Sequence, residues 1–215
     1  TVKAVTQLGA TIGRTFAYEL LQAVSPLDAA TLQHGLRQLV EAELLYQRGL
    51  PPLATYTFKH ALIQDVAYQS LLKRTRQQYH QRIAQVLEAR FPNRCETQPK
   101  VLAQHYTEAG LLQQAVDYWH QAGQRASGRS AHVEAVAHLT KGLEVLQMLP
   151  ETTGRTRREL AFQVSLGPSL YATRGPGAPE VRHALTRARE LSEYLGDSTQ
   201  LCKALEELFL FHGSR

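Results

Sequence analysis

Nine histidines and two cysteines carry most of the reactive chemistry in this sequence, and their spacing decides what they can do. No pair forms His-Glu-x-x-His, and no two histidines stand three or four apart, so no helix face presents a metal site. His132 and His138 are six apart and fall on different faces. Cys95 and Cys202 are too distant for a zinc spacing or a disulfide framework, and neither has a flanking histidine or a trio of basic residues to activate it. Glu206-Glu207 reads as a solvated helix surface, because a catalytic carboxylate pair needs a pocket that shifts its pKa. There is no phosphate-cradling Gly-x-x-x-x-Gly-Lys-Ser/Thr loop, no Gly-x-Gly-x-x-Gly after a strand and no Gly-x-Ser-x-Gly elbow. The sequence predicts no catalytic residues, no metal and no enzyme. His60 stands apart. It lies in Phe58-Lys59-His60-Ala61-Leu62, where strand signals end and helix signals begin. A side chain at such a corner can point away from its own core, and an imidazole can exchange hydrogen bonds or, when charged, meet a phosphate. The other reading is a helix-capping or half-buried histidine with no ligand.

The elements around that corner are helical, with one β signal. Ala4 to Ala10 predicts a short helix broken near Gly13. Phe16, Leu20, Leu21 and Val24 recur at helical spacing and predict a second helix. Ser25-Pro26-Leu27-Asp28 reads as the start of a third, with Ser25 or Asp28 as its cap. Leu32, Leu36, Leu39 and Val40 form its stripe. Leu44 to Arg48 and Thr55 to Phe58 read as two strands separated by Gly49-Leu50-Pro51-Pro52. Three helices followed by a two-stranded hairpin is the winged-helix order. Leu62, Ile63, Val66, Ala67 and Leu71 then line one helix face, and Tyr79, Ile83, Val86, Leu87 and Phe91 another, stopped by Pro92. The polar stretch from Cys95 to Pro99 is the expected domain boundary.

From Pro99 onward the pattern is repetitive. A tetratricopeptide unit is a helix pair of about 34 residues with small residues where helices touch. Ala103, Tyr106, Gly110, Ala115, Trp119 and Ala122 fall at the needed offsets. Small residues let backbones approach while Tyr106 and Trp119 fill the remaining space. Gly123, Ala126, Ser130, Ala135, Leu139 and Gly142 give a second match, displaced by less than a full repeat, so the helix around 117–127 is expected to pack against both neighbours. Pro150 to Gly154 reads as a loop, Leu160 to Tyr171 as a helix bent at Pro168, and Val181 to Leu195 as its partner, ended by Gly196. Leu201, Leu205, Leu208 and Phe211 begin a further helix whose partner is missing, which suggests an array truncated at its C-terminus. The predicted fold is mainly α: a winged-helix-like module with a small β-hairpin over 1–94, then a tetratricopeptide-like α-solenoid over 95–215.

A helix before a wing could enter a DNA major groove. The residues that would do so are Gln33, His34, Arg37 and Gln38. Glu41 and Glu43 would repel phosphates, and the run Lys73-Arg74-Thr75-Arg76 reads as solvated at a helix junction. The net charge of +5 over 215 residues is modest, and the basic residues are spread from Lys3 to Arg215 rather than gathered on one face. Nucleic acid is therefore not the expected partner, and a DNA-binding transcriptional regulator is the alternative reading. No apolar run is long enough to cross a bilayer. The opening Thr1-Val2-Lys3-Ala4-Val5 lacks the layout of a signal peptide and an initiator Met, so the natural start is expected elsewhere. Two distant cysteines fit a reducing cytoplasm.

Assembled, these residues resemble the segment that follows the ATPase core in large bacterial signalling proteins of the STAND or AAA type. Those proteins join the core to a winged helix and a tetratricopeptide tail, and many carry an adenylate or guanylate cyclase of class III or a protein kinase. The resemblance rests on Gly13-Arg14-Thr15-Phe16, on Leu39 through Leu45, on Tyr56-Thr57-Phe58-Lys59-His60-Ala61-Leu62-Ile63-Gln64-Asp65 and on Arg76 through Ala84. It implies a switch. The winged helix would pack on an upstream ATPase domain of the same chain and help hold ATP or ADP. The helical array would bind a protein partner and bias that packing. The nucleotide loop would lie upstream of Thr1, leaving no cofactor in this segment. His60 would stand where the histidine of the Met-His-Asp motif of plant resistance proteins contacts ADP phosphates. Here Phe58-Lys59 replaces the Met and Ala61 the Asp, while Lys59 adds a positive charge of the right sign.

Overall fold

The computed structural model describes residues 2–196 and is mainly helical, with one small sheet. The expected helix from Leu201 to Phe211, and with it Cys202 and Glu206-Glu207, lies outside the described residues. The chain divides into two compact units. One runs to Thr97 and includes Glu108–Gly110; the other comprises Gln98–Thr107 and the residues from Leu111 on.

The first unit contains α1 (Val2–Ile12), β1 (Thr15–Ala17), α2 (Tyr18–Val24), α3 (Ala29–Glu41), β2 (Leu45–Arg48), β3 (Thr55–Phe58), α4 (Ala61–Gln69), α5 (Lys73–Arg90) and α6 (Pro92–Thr97). Asp28 caps α3: its carboxylate accepts from the Thr31 amide at 2.9 Å and the Thr31 hydroxyl at 2.6 Å. That resolves the two caps left open by the sequence. Ser25 instead accepts from Leu27 N within the turn before it.

The sheet departs from the expected hairpin. It has three antiparallel strands in the order β1-β3-β2. Phe16 sits in β1 opposite Tyr56, not on a helix face. Three residues are too few to show period-two alternation, and the chance spacing of Phe16 to Leu20 imitates a helix. The Phe16 ring lies over Gly9, where a Cβ would approach it to 2.8 Å. It also stacks at 5.9 Å on Tyr56. Leu21, Leu32, Leu36, Leu39, Leu45, Phe58, Ile83 and Leu87 complete this unit's core.

The second unit contains α7 (Pro99–Ala109), α8 (Leu112–Gly128), α9 (His132–Gln147), α10 (Thr153–Arg174) and α11 (Pro179–Leu195). From α8 onward, consecutive helices pack in pairs. Ala103, Tyr106, Ala115, Trp119, Ala122, Ala135 and Leu139 are all buried. α8 meets α7 through stacked Tyr106 and Tyr118 rings and through Trp119, whose Nε1 donates to Thr107 Oγ1 at 3.1 Å. It meets α9 where Gly123 faces Leu139, a Cβ there falling 2.4 Å from Leu139 Cγ. At Gly142 a Cβ would come within 2.2 Å of the Phe162 ring, so the missing side chain is what lets α10 approach α9. Gly110 does something else: it is exposed, with φ +77°, and turns the chain after α7. Its glycine answers a left-handed backbone rather than close helix packing. α10 runs unbroken through Pro168, which simply forgoes one backbone donor. Gly175 (φ +83°) and Gly196 (φ +66°) end α10 and α11.

Candidate functional site

The His60 corner is made by the end of β3. Phe58 is anchored in the core, and the next amide, of Lys59, donates to Leu44 O at 3.1 Å. His60 keeps extended backbone (φ −124°, ψ 136°) as the residue before α4, and its carbonyl accepts from Ile63 N at 3.1 Å. Its imidazole makes no capping bond and is exposed. Successive side chains of extended backbone point to opposite sides, and Lys59 turns the other way. Its side chain is only 19% exposed, and its ammonium sits 3.2 Å from a Glu43 carboxylate oxygen and 4.9 Å from the centre of the Tyr46 ring. Glu43 occupies a left-handed turn, φ +59°, directly before β2. The positive charge of Lys59 is thus compensated inside its own unit, while His60 faces outward.

The helix that follows His60 is unusual in burying none of its residues. Its sequence reads as a core stripe, but the stripe splits. Ile63, Gln64 and Ala67 turn inward, half-buried, with Gln64 Nε2 donating to Ala10 O at 3.2 Å. Leu62 and Val66, one turn apart, point outward and are 71% and 60% exposed. Leu71, expected on the same face, is buried beyond the helix end. The result is a histidine next to an uncovered apolar pair. Leu62 and Val66 thus stand together at i and i+4 on the exposed face of the helix.

The residues of the DNA reading are arranged differently. Gln33 turns its amide to the Tyr18 hydroxyl at 3.1 Å. Arg37 is exposed together with His34, Gln38 and Glu41, so the open face of α3 offers one fixed cation beside a carboxylate. Arg76 is not available to a phosphate either. Its guanidinium lies 4.3 Å from the centre of the Tyr68 ring and donates to the carbonyls of Tyr68 and Leu71 at the end of α4. Behind it, His80 Nε2 is 2.9 Å from the Tyr68 hydroxyl. Burial, and then the charge of Arg76, push this imidazole down to about 4, so it is neutral at physiological pH. Among the described residues no group of three or more His, Cys, Asp or Glu side chains could hold a metal ion, and no helix is long and apolar enough to cross a membrane.

No known family model matches the sequence, and no solved structure is similar to it. One similar protein is the uncharacterized protein R02095 of Rhizobium meliloti (strain 1021), 28% identical over 193 residues. The match takes in 89% of this chain but only 19% of the relative. The chain thus spans about a fifth of the length of that relative.

Proposed function

We propose that this chain is a non-catalytic regulatory and protein-interaction segment of a multidomain ATPase signalling protein. In this reading the first unit is a winged-helix-like module that couples to an upstream nucleotide-binding domain. The second is a tetratricopeptide-like array that binds a protein partner, and both work in the cytoplasm. The observation that carries the reading is the outer face of α4: an exposed His60 that makes no capping bond, beside exposed Leu62 and Val66, on a helix with no fully buried residue. Such a face gains from being covered, and a histidine at its edge is placed to meet an anionic group held by whatever covers it. The similar protein, in which the matched stretch is a small part, is consistent with a segment that works inside a longer chain. In the second unit, the close approaches at Gly123 and Gly142 follow the small-residue logic of helical repeats. ATP or ADP would belong to the upstream domain. Lys59, paired with Glu43 at 3.2 Å, places a positive charge beside His60 at the same corner, and both would face the nucleotide of the upstream domain.

The test uses the longer protein with ADP bound. His60→Ala should speed ADP release and raise basal output with the fold intact, by about tenfold if one charge-assisted hydrogen bond is lost. An unchanged ADP off-rate in the folded variant removes His60 from the mechanism.

A further inference from the structure

Behind its exposed face, α4 is tied down largely by polar contacts. Gln64 Nε2 donates to Ala10 O at 3.2 Å, and Gln7 Nε2 of α1 donates to Ser70 Oγ, just past the end of α4, at 2.8 Å. Tyr68, in the last turn, is held on three sides. Its ring centre lies 4.3 Å from the Arg76 guanidinium carbon, and the His80 ring meets it edge-on at 5.7 Å. Its hydroxyl stands between His80 Nε2 of α5, at 2.9 Å, and Glu108 Oε2 of α7, at 3.3 Å. Glu108 is in the last turn of α7 and belongs with the first unit, whereas residues 99–107 of the same helix belong to the second.

The Tyr68 hydroxyl has one proton and two neighbours able to take it. An ionised carboxylate only accepts, so the bond to Glu108 uses that proton. Neutral His80 must then donate its Nε2–H to the Tyr68 oxygen, and the bonds run one way, from His80 to Tyr68 to Glu108. Without Glu108 the Tyr68 proton turns to His80 Nε2, which accepts it only in the other tautomer, with the ring proton on Nδ1. The clasp therefore has two arrangements that differ by one tautomer. Arg76 keeps the closed one shallow. Its Nε is buried without a partner among the described residues, and its Nη2 reaches the Tyr68 and Leu71 carbonyls only at 3.4 Å. A buried donor left unpaired costs stability, and loosening the end of α4 lets water reach it. We infer that Tyr68 is a positioning residue for α4: the clasp is closed while Glu108 accepts its hydroxyl proton, and displacement of Glu108 with α7 reverses the relay and loosens the helix that bears His60, Leu62 and Val66. A shift of α7 reaches Glu108 through the helix itself, so partner binding in the array would be felt at that face. The inference rests on the reading of this face as the one that meets an upstream domain, and it names how the face is regulated.

The experiment combines nitrogen-15 NMR of the histidine rings with amide hydrogen exchange, on the whole chain and without nucleotide. In the wild type His80 should carry its proton on Nε2. Glu108→Ala, a change at an exposed position, should move that proton to Nδ1. It should also speed exchange of the amides from residue 66 to residue 70 about threefold, with those of α3 and β3 unchanged. Tyr68→Phe keeps the ring beside Arg76 and should loosen the same amides at least as much. Adding Glu108→Ala to it should have no further effect. An unchanged His80 tautomer or unchanged α4 exchange in Glu108→Ala overturns the relay. Equal acceleration of every amide in the first unit signals lost stability rather than a released helix and also overturns it, as do additive effects in the double variant. The coupling of the His60 face to an upstream domain stands or falls separately, on the ADP-release measurement.

Discussion

Replacing Trp119 with Ala should destabilise the second unit by about 3–5 kcal/mol, the range for a large aromatic lost from a core. Trp119 is the single tryptophan, 5% exposed. On one side its Nε1 reaches Thr107 of α7. On another its ring lies 5.6 Å from that of His138 in α9. Its Cβ backs onto Gly142, where an added Cβ would fall 3.0 Å away. One side chain therefore ties three helices together. The loss is one of packing more than hydrogen bonding, since Thr107 Oγ1 still donates to Ala103 O at 2.7 Å. Urea unfolding of the two proteins measures the difference. Native emission should be blue-shifted and resistant to iodide. Red-shifted, easily quenched emission with a loss below about 1 kcal/mol would mean a surface tryptophan instead.

Mild acid should weaken the first unit by about 2 kcal/mol between pH 7 and pH 5, through His80. The folded imidazole titrates at about 4, whereas an unfolded histidine titrates near 6.5. Between those values the unfolded chain binds the additional proton, so stability rises with pH there. The contribution is complete above about 6.5 and is lost as pH falls toward 4. His120 in the second unit, held between Ser165 Oγ at 3.0 Å and the Ala161 carbonyl, is also pushed down by burial and acts in the same sense. Most carboxylates stay ionised in this window, which isolates the histidine effect. His80→Gln retains a group for the Tyr68 hydroxyl and should remove most of the first unit's slope. Denaturant midpoints of both proteins at pH 7 and pH 5 check this; parallel falls in the two would exclude His80 as the source.

Much of the helical framework was legible because its signals are local. Asp28 before an apolar stripe, Gly196 after one, and Ala and Gly at helix contacts each follow from short-range physics. What escaped reading depends on tertiary placement. β1 is only three residues long and gains its strand character from pairing with β3. Leu62 and Val66 have the periodicity of a core stripe, and only the packing of α4 on α1 reveals them as outward-facing. The position of His60 at a strand-to-helix corner was readable, but the capture of Lys59 by Glu43 was not, because it requires Glu43 in a left-handed turn.

Hydrogen exchange of the α4 amides tests the proposed coupling most directly, measured in this chain alone and in the longer protein with ADP bound. Faster exchange is expected in the isolated chain, where no residue of α4 is fully buried, with added protection from residue 60 to residue 69 once an upstream domain covers Leu62 and Val66. Equal exchange of these amides in both, with ADP bound and the fold intact, would contradict the coupling of this segment to a nucleotide-binding domain.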